Sequence, residues 1–226
     1  YDRLVDLADP EDWGPSNRIL KNYLSFSFSR AVFLTERDVD ETAPPNLPLV
    51  FDDDRCLFNT GLYTRRYETI YGLFEPNTKP DARQRWFLKG FFKESDPMLV
   101  SFEYLPCRVR FAEDPSELVF DYRLPIRSNI DHILGDNSLL LRRAFEGAVV
   151  EAARRAAANY TLAVPQFYGG RIQLLLPLCL TGDKPELALT IQREDGFYAA
   201  RTCLTLDMAY NNARLICRPE TSWIKR

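Results

Sequence analysis

Histidine is almost missing from this sequence of 226 residues, in which His132 supplies the one imidazole. Cysteines stand at positions 56, 107, 179, 203 and 217, an odd number with no Cys-x-x-Cys pair. A zinc site of the Cys/His kind therefore has no support, and a disulfide framework is not expected. Cys179, Cys203 and Cys217 lie in apolar, strand-like runs, so the expectation is free, buried thiols in a reducing compartment. No apolar run approaches the roughly 20 residues that span a bilayer. The opening Tyr1-Asp2-Arg3 also lacks the basic and then apolar segments of a signal peptide. These absences lead to the expectation of a cytoplasmic protein without a membrane partner.

Motifs of the common nucleotide and hydrolase folds are lacking too. There is no Gly-x-Gly-x-x-Gly, no Walker A loop, no Gly-x-Ser-x-Gly and no His-Glu-x-x-His, which removes the usual dinucleotide, P-loop, serine-hydrolase and zinc-protease readings. Charge of one sign is lacking as well: 29 basic residues stand against 32 acidic ones. That balance argues against a bulk polyanion binder but leaves room for a local basic surface.

What the chain does carry is apolar and aromatic residues, 46% and 13% of the total, enough for a sizeable core. Asp9 to Trp13 reads as an acidic helix start with Trp13 as an anchor. Arg18 to Phe33 reads as a helix, with Leu20, Leu24, Phe28 and Val32 at every fourth position, and residues 38–48 as a Pro-containing surface loop. Strands are expected at 55–60, 70–75 and 86–92, forming an antiparallel meander, and a fourth at 118–126. The clearest element is a helix from about Ser138 to Asn159. Leu141, Phe145, Ala148, Val149, Ala152 and Ala156 form its apolar face, Arg142/Glu146 and Glu151/Arg155 sit at i,i+4 spacing, and Asp136-Asn137-Ser138 supply the cap. A buried strand follows at 171–181, in which Pro177 demotes the second half or marks a bulge. A hairpin over 186–206 turns at Glu194-Asp195-Gly196, and Met208 to Ile216 forms a short helix or turn leading into a last strand. The resulting expectation is one α+β domain spanning residues 1–226. Its mainly antiparallel, mixed sheet is packed by an N-terminal helix and one long central helix.

Three polar clusters interrupt the apolar sequence. In the first, Arg127, Asn129, Asp131 and His132 precede the long helix. Arg127 suits a phosphate or carboxylate and His132 suits proton transfer, while the bland alternative makes the acids and amides caps. In the second, Asp207, Tyr210, Asn211, Asn212 and Arg214 follow a strand exit. Asp207 and Asn211 suit a divalent ion or ribose hydroxyls and Arg214 a phosphate, or else all five simply build a turn. The third is Lys93 with Glu94 at a strand end. The stretch from Gln166 to Gln173, with Tyr168 and Arg171 beside Gly169 and Gly170, adds a ring and a guanidinium suited to base stacking and phosphate contact, beside the plainer reading of a tight turn.

Several stretches together resemble the domain of unknown function family 3825. They are Asn59-Thr60-Gly61-Leu62, Ile70 to Glu75, Lys93 to Asp96, Asp114-Pro115-Ser116 with Asp121, Asn129 to Leu134, Pro165 to Tyr168, Ile172 to Leu180 and the long Leu204 to Ile216 motif LTLDMAYNNARLI. The likeness runs from Pro10 to Trp223. It implies no assigned activity and no catalytic residues. It does imply company, because such domains occur beside small nucleic-acid-binding modules of the cold-shock or LOTUS type. A neighbouring domain of that kind is thus an expected partner, together with RNA or a nucleotide.

Three functions follow as expectations. The first is binding of RNA or a nucleotide through Lys93, Glu94, Arg127, Asn129, Tyr168, Arg171, Gln173, Tyr210, Asn211, Asn212 and Arg214. The second is a phosphodiesterase or nucleotide hydrolase, with Asp131 and Asp207 holding a divalent metal ion and His132 moving a proton. The third is a protein-interaction module without a small ligand.

Overall fold

Leu20 and Leu24, four residues apart, are both buried, as the helical period of the sequence requires. Their helix belongs to a computed structural model of the chain that describes residues 1–37, 47–52, 54–79, 84–129, 133 and 139–224. These residues divide into two units, Tyr1–Val109 and Arg110–Arg226.

The first unit opens with helices α1 (Asp2–Leu7) and α2 (Arg18–Arg37). Strands β1 (Leu49–Asp52), β2 (Arg55–Tyr63), β3 (Thr69–Pro76) and β4 (Trp86–Lys93) follow. They form an antiparallel meander in the order β1-β2-β3-β4. One face meets α2, where the Phe28 ring lies 5.3 Å from Phe58 and 5.1 Å from Phe74. The opposite face buries Leu57, Tyr71 and Leu73 with Leu99 and Phe102. Residues 9–14 correct the expected helix start: Asp12 Oδ1 accepts from the Gly14 amide at 2.8 Å and Gly14 takes φ 70°, which makes a turn between the helices. Trp13 is the expected anchor, 3% exposed. Of the expected loop over 38–48, residues 38–46 lie outside the described residues.

The second unit holds β5 (Ile126–Ser128), α3 (Leu139–Ala158), β6 (Val164–Tyr168), β7 (Arg171–Leu178), β8 (Leu187–Glu194), β9 (Phe197–Thr205) and α4 (Leu206–Ala213). Its five-stranded sheet runs β5-β9-β8-β7-β6, antiparallel except for the parallel β5–β9 pair. The class is α+β, with the antiparallel pairing shared between two sheets. Helix α3 lays Phe145, Ala148, Val149, Ala152 and Ala156 on Leu174, Leu176, Leu178, Leu189, Ile191 and Tyr198 of one face. Burying each of the large aliphatic side chains there contributes about 1.5–3 kcal/mol. Glu151 and Arg155 make the expected i,i+4 pair, 3.5 Å apart, and the expected cap at 136–138 lies outside the described residues.

Pro177 stays in its strand, opposite Ala188. Leu178 accepts from Glu186 with its carbonyl, so Pro177 turns its nitrogen the other way. The β6 ladder on that side ends at the Val164–Leu175 pair, where no donor is missed. The strand expected at 118–126 is corrected. Asp114 Oδ1 accepts from Ser116 N at 2.8 Å to cap a short 3-10 turn (Pro115–Leu118), and Asp121 bonds back to Arg123. Only residues 126–128 pair as β5. After α4 the chain continues in turns, with no last strand among the described residues. All five cysteines are free thiols, but only Cys56 is buried: Cys107, Cys179 and Cys203 are half-buried and Cys217 is exposed.

Candidate functional site

Glutamine inside a strand has a polar head that must find a partner once buried. The second sheet places three such heads side by side. Gln166 of β6 faces Gln173 of β7 in register, and Gln173 reaches Gln192 of β8. All three are 8% exposed or less. Gln166 Nε2 donates to Gln173 Oε1 at 2.8 Å, and Gln173 Nε2 donates to Gln192 Oε1 at 3.3 Å. At one end, Asn212 Nδ2 of α4 donates to Gln166 Oε1 at 3.0 Å. At the other, Gln192 Nε2 donates to Glu194 Oε1 at 3.1 Å, and Arg201 donates to the same oxygen. Every amide thus donates in one direction, toward an acceptor-only carboxylate.

These side chains lie on the face opposite α3, because partners across a strand pair share a face and every second residue returns to it. Tyr168 and Arg171, a register pair beyond Gln166 and Gln173, are on that face. Glu194 pairs with Phe197, Gln192 with Ala199, and Ala199 with Arg127 of β5, so Phe197 and Arg127 are there as well. The Arg127 guanidinium carbon sits 4.4 Å from the Phe197 ring centroid, a cation–π contact. A bulge between the pairs Ile191–Ala200 and Thr190–Thr202 leaves Arg201 as the extra residue. Helix α4 covers the far part of the face through its contacts with β6, β8 and β9. The part beyond the glutamines stays open. Tyr168 is 66% exposed, and Arg127 and Arg171 are also exposed. Gly169 and Gly170 at φ 59° and 80° supply the two left-handed residues of the tight turn that holds Tyr168 opposite Arg171.

The structure therefore gathers Arg127, Tyr168, Arg171, Gln173 and Asn212 of the expected residues onto one sheet face. Asn129 follows β5 and is exposed. The rest of the α4 cluster divides. Thr205 caps the helix by accepting from Met208 N at 3.3 Å, and Asp207 is exposed in the first turn. Tyr210 and Arg214 are buried at 4% and 5% exposure, and Asn211 is half-buried. Lys93 and Glu94 belong to the first unit. Lys93 pairs with Glu68 at 3.3 Å, and Glu94 Oε2 accepts from Thr69 N at 3.4 Å. Asp131 and His132 lie outside the described residues. Among the described residues no three His, Cys, Asp or Glu side chains group as metal ligands. Reading by residue type missed Gln192, Glu194 and Arg201, and gave Gln166 no role of its own within the 166–173 stretch. The available signal was polar residues at period two, Thr190-x-Gln192-x-Glu194 and Gln166-x-Tyr168, inside apolar strands.

The family model described as Domain of unknown function (DUF3825) matches residues 4–223, nearly the whole chain. The chain belongs to this family. Both sheets, and the amide row with its open end, lie inside the matched span of the DUF3825 domain. Neither the curated proteins nor the solved structures contain a match. No helix of the described residues is long and apolar enough to cross a membrane.

Proposed function

We propose that the open end of the second sheet's polar face binds single-stranded RNA or a nucleotide. One observation carries this reading: the Arg127 and Arg171 guanidinium groups make no hydrogen bond or ion pair among the described residues, yet they share a face with the exposed ring of Tyr168. Among the described residues three arginines stand there against one glutamate, a positive surface on a near-neutral chain. Guanidinium groups with open donors attract phosphate. A ring standing on a sheet surface offers a base a stacking partner worth about 1–3 kcal/mol. The buried amide row holds the strands in register beneath the site, so the donors and the ring are positioned before the ligand arrives.

The test is a fluorescence anisotropy titration of the whole chain with a labelled single-stranded RNA octamer and with nucleoside triphosphates, at several salt concentrations. Saturable binding that weakens with salt is expected. Absence of binding at low salt to RNA and nucleotide alike, by a chain that melts cooperatively, overturns the reading.

A further inference from the structure

The one acid in the open face among the described residues has a chemistry that its neighbours lack. Arg127, Arg171 and Arg201 only donate, and Tyr168 offers mainly a ring, whereas ionised Glu194 only accepts. Its Oε1 takes both the Gln192 amide and the Arg201 guanidinium, and its Oε2 takes no hydrogen bond among the described residues. The side chain is 30% exposed, so this second oxygen belongs to a carboxylate that solvent and a ligand can reach. Arg201 and Gln192 also fix the head in place, so a ligand meets an oriented acceptor.

Nucleobases differ sharply in what they show such an acceptor. The Watson–Crick edge of guanine carries two adjacent donors, N1–H and the N2 amino group, which can converge on the open Oε2. Adenine and cytosine each place a ring acceptor beside their one amino group. Uracil flanks its N3–H with two carbonyl oxygens, which a carboxylate repels. From the geometry we infer that Glu194 makes this face selective for guanine in single-stranded RNA or in a guanine nucleotide. The inference rests on the proposed RNA- or nucleotide-binding reading and adds the base to it. In this arrangement the base stacks on Tyr168, the backbone phosphates meet Arg171 and Arg127, and the edge of the base turns along the strand row toward Glu194.

The test uses the whole chain and octamers of uridine in which one central position is guanosine, inosine, adenosine or cytidine. Inosine keeps N1–H but lacks the N2 amino group, so it probes the second hydrogen bond without any change in the protein. The expected order is guanosine about tenfold tighter than adenosine or cytidine, with inosine between, as a second hydrogen bond to a charged acceptor gives. In Glu194→Gln, which retains an oxygen for Gln192 and Arg201, the guanosine advantage shrinks to about twofold or less while the melting temperature holds. Equal affinity for all four octamers overturns the guanine assignment and leaves the RNA-binding reading standing. A guanosine preference that survives Glu194→Gln overturns the role of Glu194. No binding to any octamer or to a guanine nucleotide overturns both the inference and the reading beneath it.

Discussion

Gln166 and Gln173 stand directly opposite each other on neighbouring strands, and the Nε2 of the first donates to the Oε1 of the second at 2.8 Å with both side chains buried. An in-register amide pair of this kind is worth most when its other ends are also bonded. Here they are, by Asn212 on one side and Gln192 on the other. The row therefore ties α4, three strands and the Glu194–Arg201 pair into one hydrogen-bonded unit.

Replacing the middle member, Gln173→Leu, keeps the volume and apolar packing roughly constant but strands a donor on Gln166 and an acceptor on Gln192. Leaving buried polar groups unbonded costs about 1–3 kcal/mol. Urea unfolding of this variant is expected to show a lower midpoint with an unchanged slope. A midpoint equal to the parent's would mean that water satisfies the row and that it contributes no rigidity.

Arg127→Ala and Arg171→Ala remove exposed guanidinium groups that make no ion pair or hydrogen bond within the described residues. Each is expected to weaken RNA binding and to lower the slope of log affinity against log salt by about 0.7, the value for one phosphate contact on a single strand. Stability should move by less than about 0.5 kcal/mol, as for ordinary surface positions. If both variants bind like the parent, the ligand sits elsewhere on the chain.

The elements that could be read from the sequence were those with a long or regular period. Helix α3 has five buried apolar residues at helical spacing, and the β8–β9 hairpin turns at the Asp195-Gly196 signal. Strands β1 and β6 escaped notice because they have only 4 and 5 residues, too few to establish a period. The site was half legible. Arginine, tyrosine and asparagine stand out by type. The row does not, because Gln173 and Gln192 become neighbours only once the register of two strands is set. Burial misleads in the same way at Arg214, whose charge suggests the surface and whose side chain is 5% exposed.

Burial pushes the Cys56 thiol up to about 12 and the Cys203 thiol up to about 11, against 9.0 for the free group. In the folded chain these thiols keep their protons at a pH where the unfolded chain has lost them. The native state then binds more protons, so stability is level below about pH 9.0 and falls as pH rises toward 11 and 12. Urea midpoints measured from pH 8 to pH 10.5 should decline, and Cys56→Ala should flatten the decline while lowering the starting stability. At pH 8, exposed Cys217 should be alkylated first and Cys56 last. Fast labelling of Cys56 in the native chain would contradict its burial.

At the acid end, the Arg123 guanidinium bonds Asp121 and holds its carboxyl down at about 2, with desolvation opposing. A carboxyl lowered on folding stabilises the native state above its unfolded value near 3.8 and loses that effect as pH falls toward 2. Asp121→Asn should therefore make the stability profile shallower between about pH 4 and pH 2. An unchanged acid limb would show that the pair is fully screened by solvent.

Gly61 lies at the bulge in β2 with φ 68°, a left-handed conformation that costs a non-glycine residue about 1–2 kcal/mol. An added Cβ would also overlap the Tyr23 hydroxyl, which is buried and donates to the Thr60 carbonyl at 2.9 Å. Gly61→Ala is therefore expected to destabilise the first unit by more than the backbone term alone, and the two parts can be separated. In a Tyr23→Phe background the hydroxyl is gone and the backbone strain remains with the close approach of the Arg108 side chain, so the alanine penalty should fall by about 1 kcal/mol in a double-mutant cycle. An equal penalty in both backgrounds would mean that the hydroxyl yields without cost and that the backbone conformation and the Arg108 side chain carry the demand for glycine.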